Sequence, residues 1–195
     1  MTPSQKSRQS PAPAAGSRRS GRTSASPHGR SGHLGIDADD RRGVCSILSA
    51  FVADQHVLYQ KTRLCHWNLV GGRFDPLHAM FDAQYRALAE AIDATAERIR
   101  MLDGVAPASL GELGRAARLP ELDGCLVEGG TALAVLLADH ETCAVTLRAD
   151  IERVTDHGDV GTADLLTGLL REHEKTAWML RSHLATERGG DAAQA

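Results

Sequence analysis

Between Asp37 and Leu184 the apolar residues return every three or four positions through four long stretches, broken only where Gly, Pro and Asp gather. Val44, Ile47, Leu48, Phe51, Val52, Leu58, Thr62 and Leu69 mark the first, and Leu77, Phe81, Leu88, Ile92, Ile99 and Leu102 the second. Leu133, Leu136, Leu137, His140, Val145, Leu147 and Ile151 mark the third, and Leu165, Leu166, Leu169, Trp178, Met179 and Leu180 the fourth. That period belongs to helices with one buried face. No stretch alternates like a half-buried strand, and aromatic residues make up only 4% of the chain. The expected fold is therefore all-α, a four-helix bundle with a short extra helix between the second and third long ones.

Local signals set the expected boundaries. Asp37 or Asp39 caps the first helix, and Gly71-Gly72 ends it. Asp75 is the expected N-cap of the second helix, with Pro76 in its first turn; Asp103-Gly104 and Pro107 stop it. Residues 109–118 form the short helix. The third long helix is expected from Pro120 to about Val154, with Gly129-Gly130 weakening its first turns. A break over 156–161 leads to a fourth helix from Thr162 to about Leu184. The bundle domain is taken as 37–186, with a frayed end at 187–195.

Charge divides the chain in two. Residues 1–36 hold Lys6, Arg8, Arg18, Arg19, Arg22 and Arg30 and no acid, a charge of +6. The remaining 16 basic and 25 acidic residues leave 37–195 at −9, for the total of −3. The tail is rich in Ser, Gly, Pro and Ala, too apolar-poor to fold, and is expected to be disordered. Flexible cations separated by small residues suit the phosphates of duplex DNA, without sequence preference. The first large aliphatic residue is Leu34, so the tail has neither a secretory apolar segment nor the amphipathic face of an organelle transit peptide. No apolar run approaches the ~20 residues that span a bilayer, and no membrane partner is expected. Cys45, Cys65, Cys125 and Cys143 are widely spaced, without a C-x-x-C pair. They are read as free thiols of a cytoplasmic protein.

The second helix also carries His78, Asp82, Asp93 and Glu97, and His66-Trp67 closes the first. At ~100° per residue the four fall on one winding stripe beside the core stripe. Any one of them alone reads as a solvated side chain. Together, imidazole and carboxylate without thiolate suit iron, manganese or zinc, and the excess of carboxylate favours a hard, oxidisable ion. Positions 82 and 93 lie ~16 Å apart along a helix, too far to share one ion within one chain. Either the stripe holds two half-sites, or a second chain completes it. A two-fold axis crossing near residues 87–88 would set His66, His78 and Asp82 of one chain against Asp93 and Glu97 of the other, twice per dimer. An intrachain di-iron bundle uses Glu-x-x-His pairs, and no Glu here is followed three residues later by His.

The stretch Leu58-Tyr59-x-Lys61-Thr62, His66-Trp67-Asn68, Gly71, Phe74, Leu77-His78, Asp82, Tyr85, Leu88, Asp93 and Ala96-Glu97-Arg98 resembles the Dps family, the DNA-protection-during-starvation miniferritins. Weaker similarity spans roughly residues 40–185, including Asp164-Leu165-Leu166 and Trp178. One departure is Asp103-Gly104, where the family often has Gly-Gly. The resemblance implies a ferritin-like bundle assembled as a dodecamer from two-fold dimers. It implies a ferroxidase that oxidises Fe(II) to Fe(III) with hydrogen peroxide or dioxygen and stores ferric mineral, with His66, His78, Asp82, Asp93 and Glu97 as intersubunit iron ligands. Asp164, with Asp159 and Asp156 behind it, is the candidate iron-entry pore. Trp67 and Trp178 are either core residues or aromatic neighbours able to quench radicals. The implied setting is nucleoid-associated protection of DNA from oxidative damage. The alternative is a DNA-coating structural protein whose metal site only holds dimers together.

Overall fold

The computed structural model describes residues 34–192, with side chains described over 34–185. The basic residues Lys6, Arg8, Arg18, Arg19, Arg22 and Arg30 therefore lie outside the described residues. So do the last three residues of the expected frayed end.

Five helices form an all-α bundle with a short extra helix in the middle: α1 Ala38–Asn68, α2 Phe74–Met101, α3 Leu110–Ala116, α4 Gly129–Asp156 and α5 Val160–Ala192. Asp37 starts α1 as expected, its carboxylate accepting the backbone N–H of Asp39 and Asp40 at 3.0 Å. The start of α2 differs from expectation. Its N-cap is Arg73, without a side-chain cap, and Asp75 lies inside the first turn. The chain leaves α1 extended at Leu69 and swings through Gly71 at φ +111°, and the N-cap falls two residues before Asp75. Asp75 still places a negative charge where the helix dipole favours one.

α2 ends as the residues suggest. Asp103 takes the left-handed conformation, φ +65°, and the Gly104 N–H reaches the Ile99 carbonyl at 3.0 Å. A side chain at Gly104 would collide with Cys45 Sγ at 2.6 Å. α3 is capped by Ser109 and Glu112 in a reciprocal capping box.

The third long helix does not begin at Pro120. Leu69–Val70 (β1) and Val127–Glu128 (β2) pair in parallel, a two-residue bridge the sequence pattern did not suggest. Residues 120–126 carry no helix or strand, 127–128 form β2, and α4 starts only at Gly129. A Cβ at Gly129 would lie 2.7 Å from Leu77 Cδ1, so the glycine admits the close approach of α2. Arg118 ties the crossover down. Its guanidinium bonds Asp54 at 2.7 Å and Asp150 at 2.9 Å, both buried carboxylates. α5 begins at Val160, two residues before the expected Thr162, and runs past Leu184 to Ala192.

α1 packs along α2, α4 packs along α5, and α1 touches α4. The core has two apolar clusters. One surrounds Leu58, Phe81, Leu133, Leu136 and Leu180; the other surrounds Ile47, Leu48, Phe51, Ile99, Leu147 and Leu166. Polar side chains fill the seam between them. Gln55 Nε2 meets His173 Nε2 at 2.8 Å, His173 Nδ1 meets His140 Nδ1 at 2.9 Å, and Lys61 bonds Asp139 at 2.8 Å. α2 and α5 meet little and leave an apolar groove of about 550 Å³ between them. No helix among the described residues is long and apolar enough to cross a membrane.

Candidate metal centre

The short link between α1 and α2 reverses the chain, so the last turn of α1 faces the first turns of α2. This brings His66 against His78. Their rings stack at 3.7 Å between centroids with an interplanar angle of 19°. Each ring nitrogen Nδ1 lies 2.9 Å from the backbone carbonyl of the other residue. A carbonyl only accepts, so both Nδ1 atoms carry the proton. In the neutral rings this leaves both Nε2 lone pairs free for a cation, the usual arrangement of metal-ligating histidine. His66 is 9% exposed, and Phe74 stacks on His78 at 4.9 Å.

Asp82 follows one turn after His78. Arg86 donates to it from both ends of its fork, Nε to Oδ2 at 2.8 Å and a terminal nitrogen to Oδ1 at 3.1 Å. The Tyr85 hydroxyl donates to the same Oδ1. These bonds, Arg86 first and Tyr85 next, hold the Asp82 carboxyl down to about 2. Tyr85 is also set edge-on to His66 at 5.3 Å, so one ring links the carboxylate to the imidazole pair. Sequence reasoning assigned neither Tyr85 nor Arg86 a role in the site. The signal was available, because residues three and four beyond Asp82 are its neighbours on a helix face.

Asp93 and Glu97 sit further along α2, exposed and without a hydrogen bond or ion pair among the described residues. They lie ~16 Å or more beyond Asp82 along the helix. No three His, Cys, Asp or Glu side chains among the described residues converge closely enough to hold an ion. One chain thus brings His66 and His78 together, places Asp82 one turn beyond His78 on α2, and leaves Asp93 and Glu97 further along the helix.

The other candidates separate sharply. Asp159 is 1% exposed. It caps α5, accepting from the Thr162 N–H at 2.9 Å and hydroxyl at 2.5 Å, and it pairs with Arg98 at 2.7 Å. Its carboxylate is spent inside the fold, whereas Asp156 and Asp164 are exposed. Neither tryptophan is core. Trp67 is 60% exposed, with the Arg63 guanidinium 4.3 Å over its ring. Trp178, on α5, is 61% exposed and has no ring contact with the histidine pair among the described residues.

Known proteins place this architecture. A family model for the ferritin-like domain matches residues 45–189. A low temperature-induced protein of Nostoc sp. strain PCC 7120 is 40% identical over 153 residues, 78% of this chain and 86% of that protein. DNA protection during starvation protein 2 of Bacillus anthracis is 35% identical over 142 residues, 72% of this chain and 96% of that protein. The crystal structure of a Dps protein of Vibrio cholerae O1, from a broad superfamily of ferritin-like diiron-carboxylate proteins, matches with a TM-score of 0.75 at 30% identity. That match covers 79% of this chain and 96% of the other.

Proposed function

We propose, for a chain that belongs to the Dps family of ferritin-like proteins, that it oxidises Fe(II) at sites shared between two subunits and stores the ferric product. The observation that carries this reading is the division of the ligand set along α2. His66 and His78 are stacked where α1 meets α2 and Asp82 follows one turn later, while Asp93 and Glu97 stand exposed and uncommitted on the same winding stripe. A two-fold partner laid antiparallel across α2 near residues 87–88 brings each half to the other.

Iron is the substrate. The Nε2 atoms of His66 and His78 offer it moderate affinity, and the carboxylates favour Fe(III) over Fe(II), which eases electron loss. With hydrogen peroxide, two Fe(II) ions each give up one electron and the O–O bond is cleaved. Two protons are taken up and two water molecules leave, so no hydroxyl radical is released. The His66–His78 hydrogen bonds keep Nδ1 protonated and the rings fixed, and Tyr85 fixes the Asp82 carboxylate. Twelve such chains would enclose the ferric mineral, and Asp156 and Asp164 are the exposed carboxylates suited to drawing cations inward. The acid-free segment 1–36, at +6, supports non-specific DNA binding beside the iron chemistry. The reading of a DNA coat with a purely structural metal site rests on that same segment.

Complementation tests the shared site. Chains with His66→Ala and His78→Ala are co-assembled with chains carrying Asp93→Ala and Glu97→Ala, each set inactive alone. A mixed dimer holds one intact site of two, so Fe(II) oxidation returns. Co-assembled chains that stay inactive would overturn the shared-site reading.

A further inference from the structure

We propose that Arg86 is a resident counter-cation of Asp82 that a divalent metal ion must displace, and that Tyr85 is the positioning residue that holds the carboxylate while the exchange takes place. This inference rests on reading His66, His78 and Asp82 as one half of a metal site.

The geometry carries it. Arg86 covers both oxygens of Asp82, at 2.8 and 3.1 Å, and Tyr85 adds a third donor on Oδ1. A single carboxylate so covered has its charge already balanced. A dication arriving there would face the guanidinium across the same two oxygens, so the two cations exclude each other. The positions of the two donors differ. Within one chain the Arg86 side chain is 68% exposed, outside a carboxylate that is itself 34% exposed. An ion pair four residues apart on a helix face contributes little, and the Arg86 guanidinium is otherwise in contact only with the Tyr85 ring, at 5.6 Å, among the described residues. Tyr85 is held on two sides, edge-on to His66 at 5.3 Å and to Tyr59 at 6.0 Å. When Arg86 swings away, Tyr85 still donates to Oδ1, and Oδ2 is the oxygen released toward the incoming ion. Arg86 then weakens metal binding at rest, which suits a site that must pass its ion onward. It also keeps an empty Asp82 from repelling the other carboxylates of the stripe.

The test uses Zn²⁺, which has the same charge and no redox chemistry, titrated calorimetrically into the full-length assembled protein. Arg86→Gln removes the competing charge and should bind Zn²⁺ several-fold tighter. Arg86→Lys keeps the charge without the fork and should fall between Gln and the unaltered chain. Tyr85→Phe keeps the ring and its packing, so a several-fold loss of affinity with an unchanged circular dichroism spectrum reports the hydroxyl alone. Asp82→Asn serves as the reference and should weaken binding at least tenfold. If Asp82→Asn weakens Zn²⁺ but Arg86→Gln leaves it unchanged or weaker, the exchange is wrong and the half-site reading survives. Zn²⁺ binding that ignores Asp82→Asn overturns both. Tyr85→Phe binding as tightly as the unaltered chain overturns the positioning role.

Discussion

His66 and His78 hold each other: each ring donates its Nδ1–H to the other residue's backbone carbonyl at 2.9 Å, and the rings stack between the two bonds. The pair closes the junction of α1 and α2 and presents two free Nε2 atoms. Structure and chemistry are coupled here, because the bonds that seal the turn also set the tautomer a metal ion needs. Long-range proton–nitrogen NMR at neutral pH should find both neutral rings protonated at Nδ1. Either ring found with its proton on Nε2 would break this account of the site.

The buried seam makes stability depend on pH. Burial pushes His173 down to about 4 and His140 well below the ordinary histidine value, with His173 as a further cause for the latter. Gln55 and the Phe51 ring from α1 contact this pair, Glu90, Glu172 and Lys175 line the same groove, and among the described residues no charged side chain bonds to it. Both rings are therefore neutral in the fold, while the unfolded chain protonates near 6.5. As pH falls below about 6.5, protons bind the unfolded state first, and stability drops until pH reaches the folded value. His173 alone accounts for about 3 kcal/mol over that window. Melting temperatures measured from pH 7.5 to 4.5 should fall accordingly, and His173→Gln should flatten the slope. A flat profile in the unaltered protein would refute the effect.

Two aspartates at the start of α5 should behave oppositely. Asp159→Ala removes the cap and leaves Arg98 with only its bond to the Thr162 hydroxyl, and should cost about 1–2 kcal/mol of stability, visible as a lower melting temperature. Asp164→Asn changes an exposed carboxylate and should leave the melting temperature alone while slowing initial Fe(II) uptake at low iron. An unchanged uptake rate would remove Asp164 from the entry route.

Deleting residues 1–36 should abolish duplex binding and spare Fe(II) oxidation, since His66 is the first ligand in the chain. The remaining body carries −9 and repels phosphate. Several tethered tails of six cations each should bind avidly, with log affinity falling against log salt by about 0.9 per phosphate contacted. Gel shifts across a salt series read both effects. Binding that survives the deletion, or that ignores salt, would place the DNA contact elsewhere.

The helices, the Asp37 cap, the left-handed turn at Asp103 and the spacing of His66, His78, Asp82, Asp93 and Glu97 were all legible in the chain. The helices, the cap and the turn depend on residues within a turn or two of one another, where propensity and periodicity act directly, and the ligand spacing is read straight from position along the chain. The late start of α4 was not legible, because β1 and β2 are separated by more than fifty residues and their pairing overrides local helix preference. The role of Asp159 was hidden for a related reason. An acidic residue before a helix reads equally well as a cap or a pore carboxylate until Arg98, on another helix, claims it. The seam of Gln55, His140 and His173 draws on three helices, and its neutral histidines follow from burial that no single helix reveals. The ligand types were written along α2 in the sequence. The pairing of His66 with His78 follows from the reversal at Gly71, which folds the end of α1 back onto the start of α2, while Asp93 and Glu97 stay further along the helix.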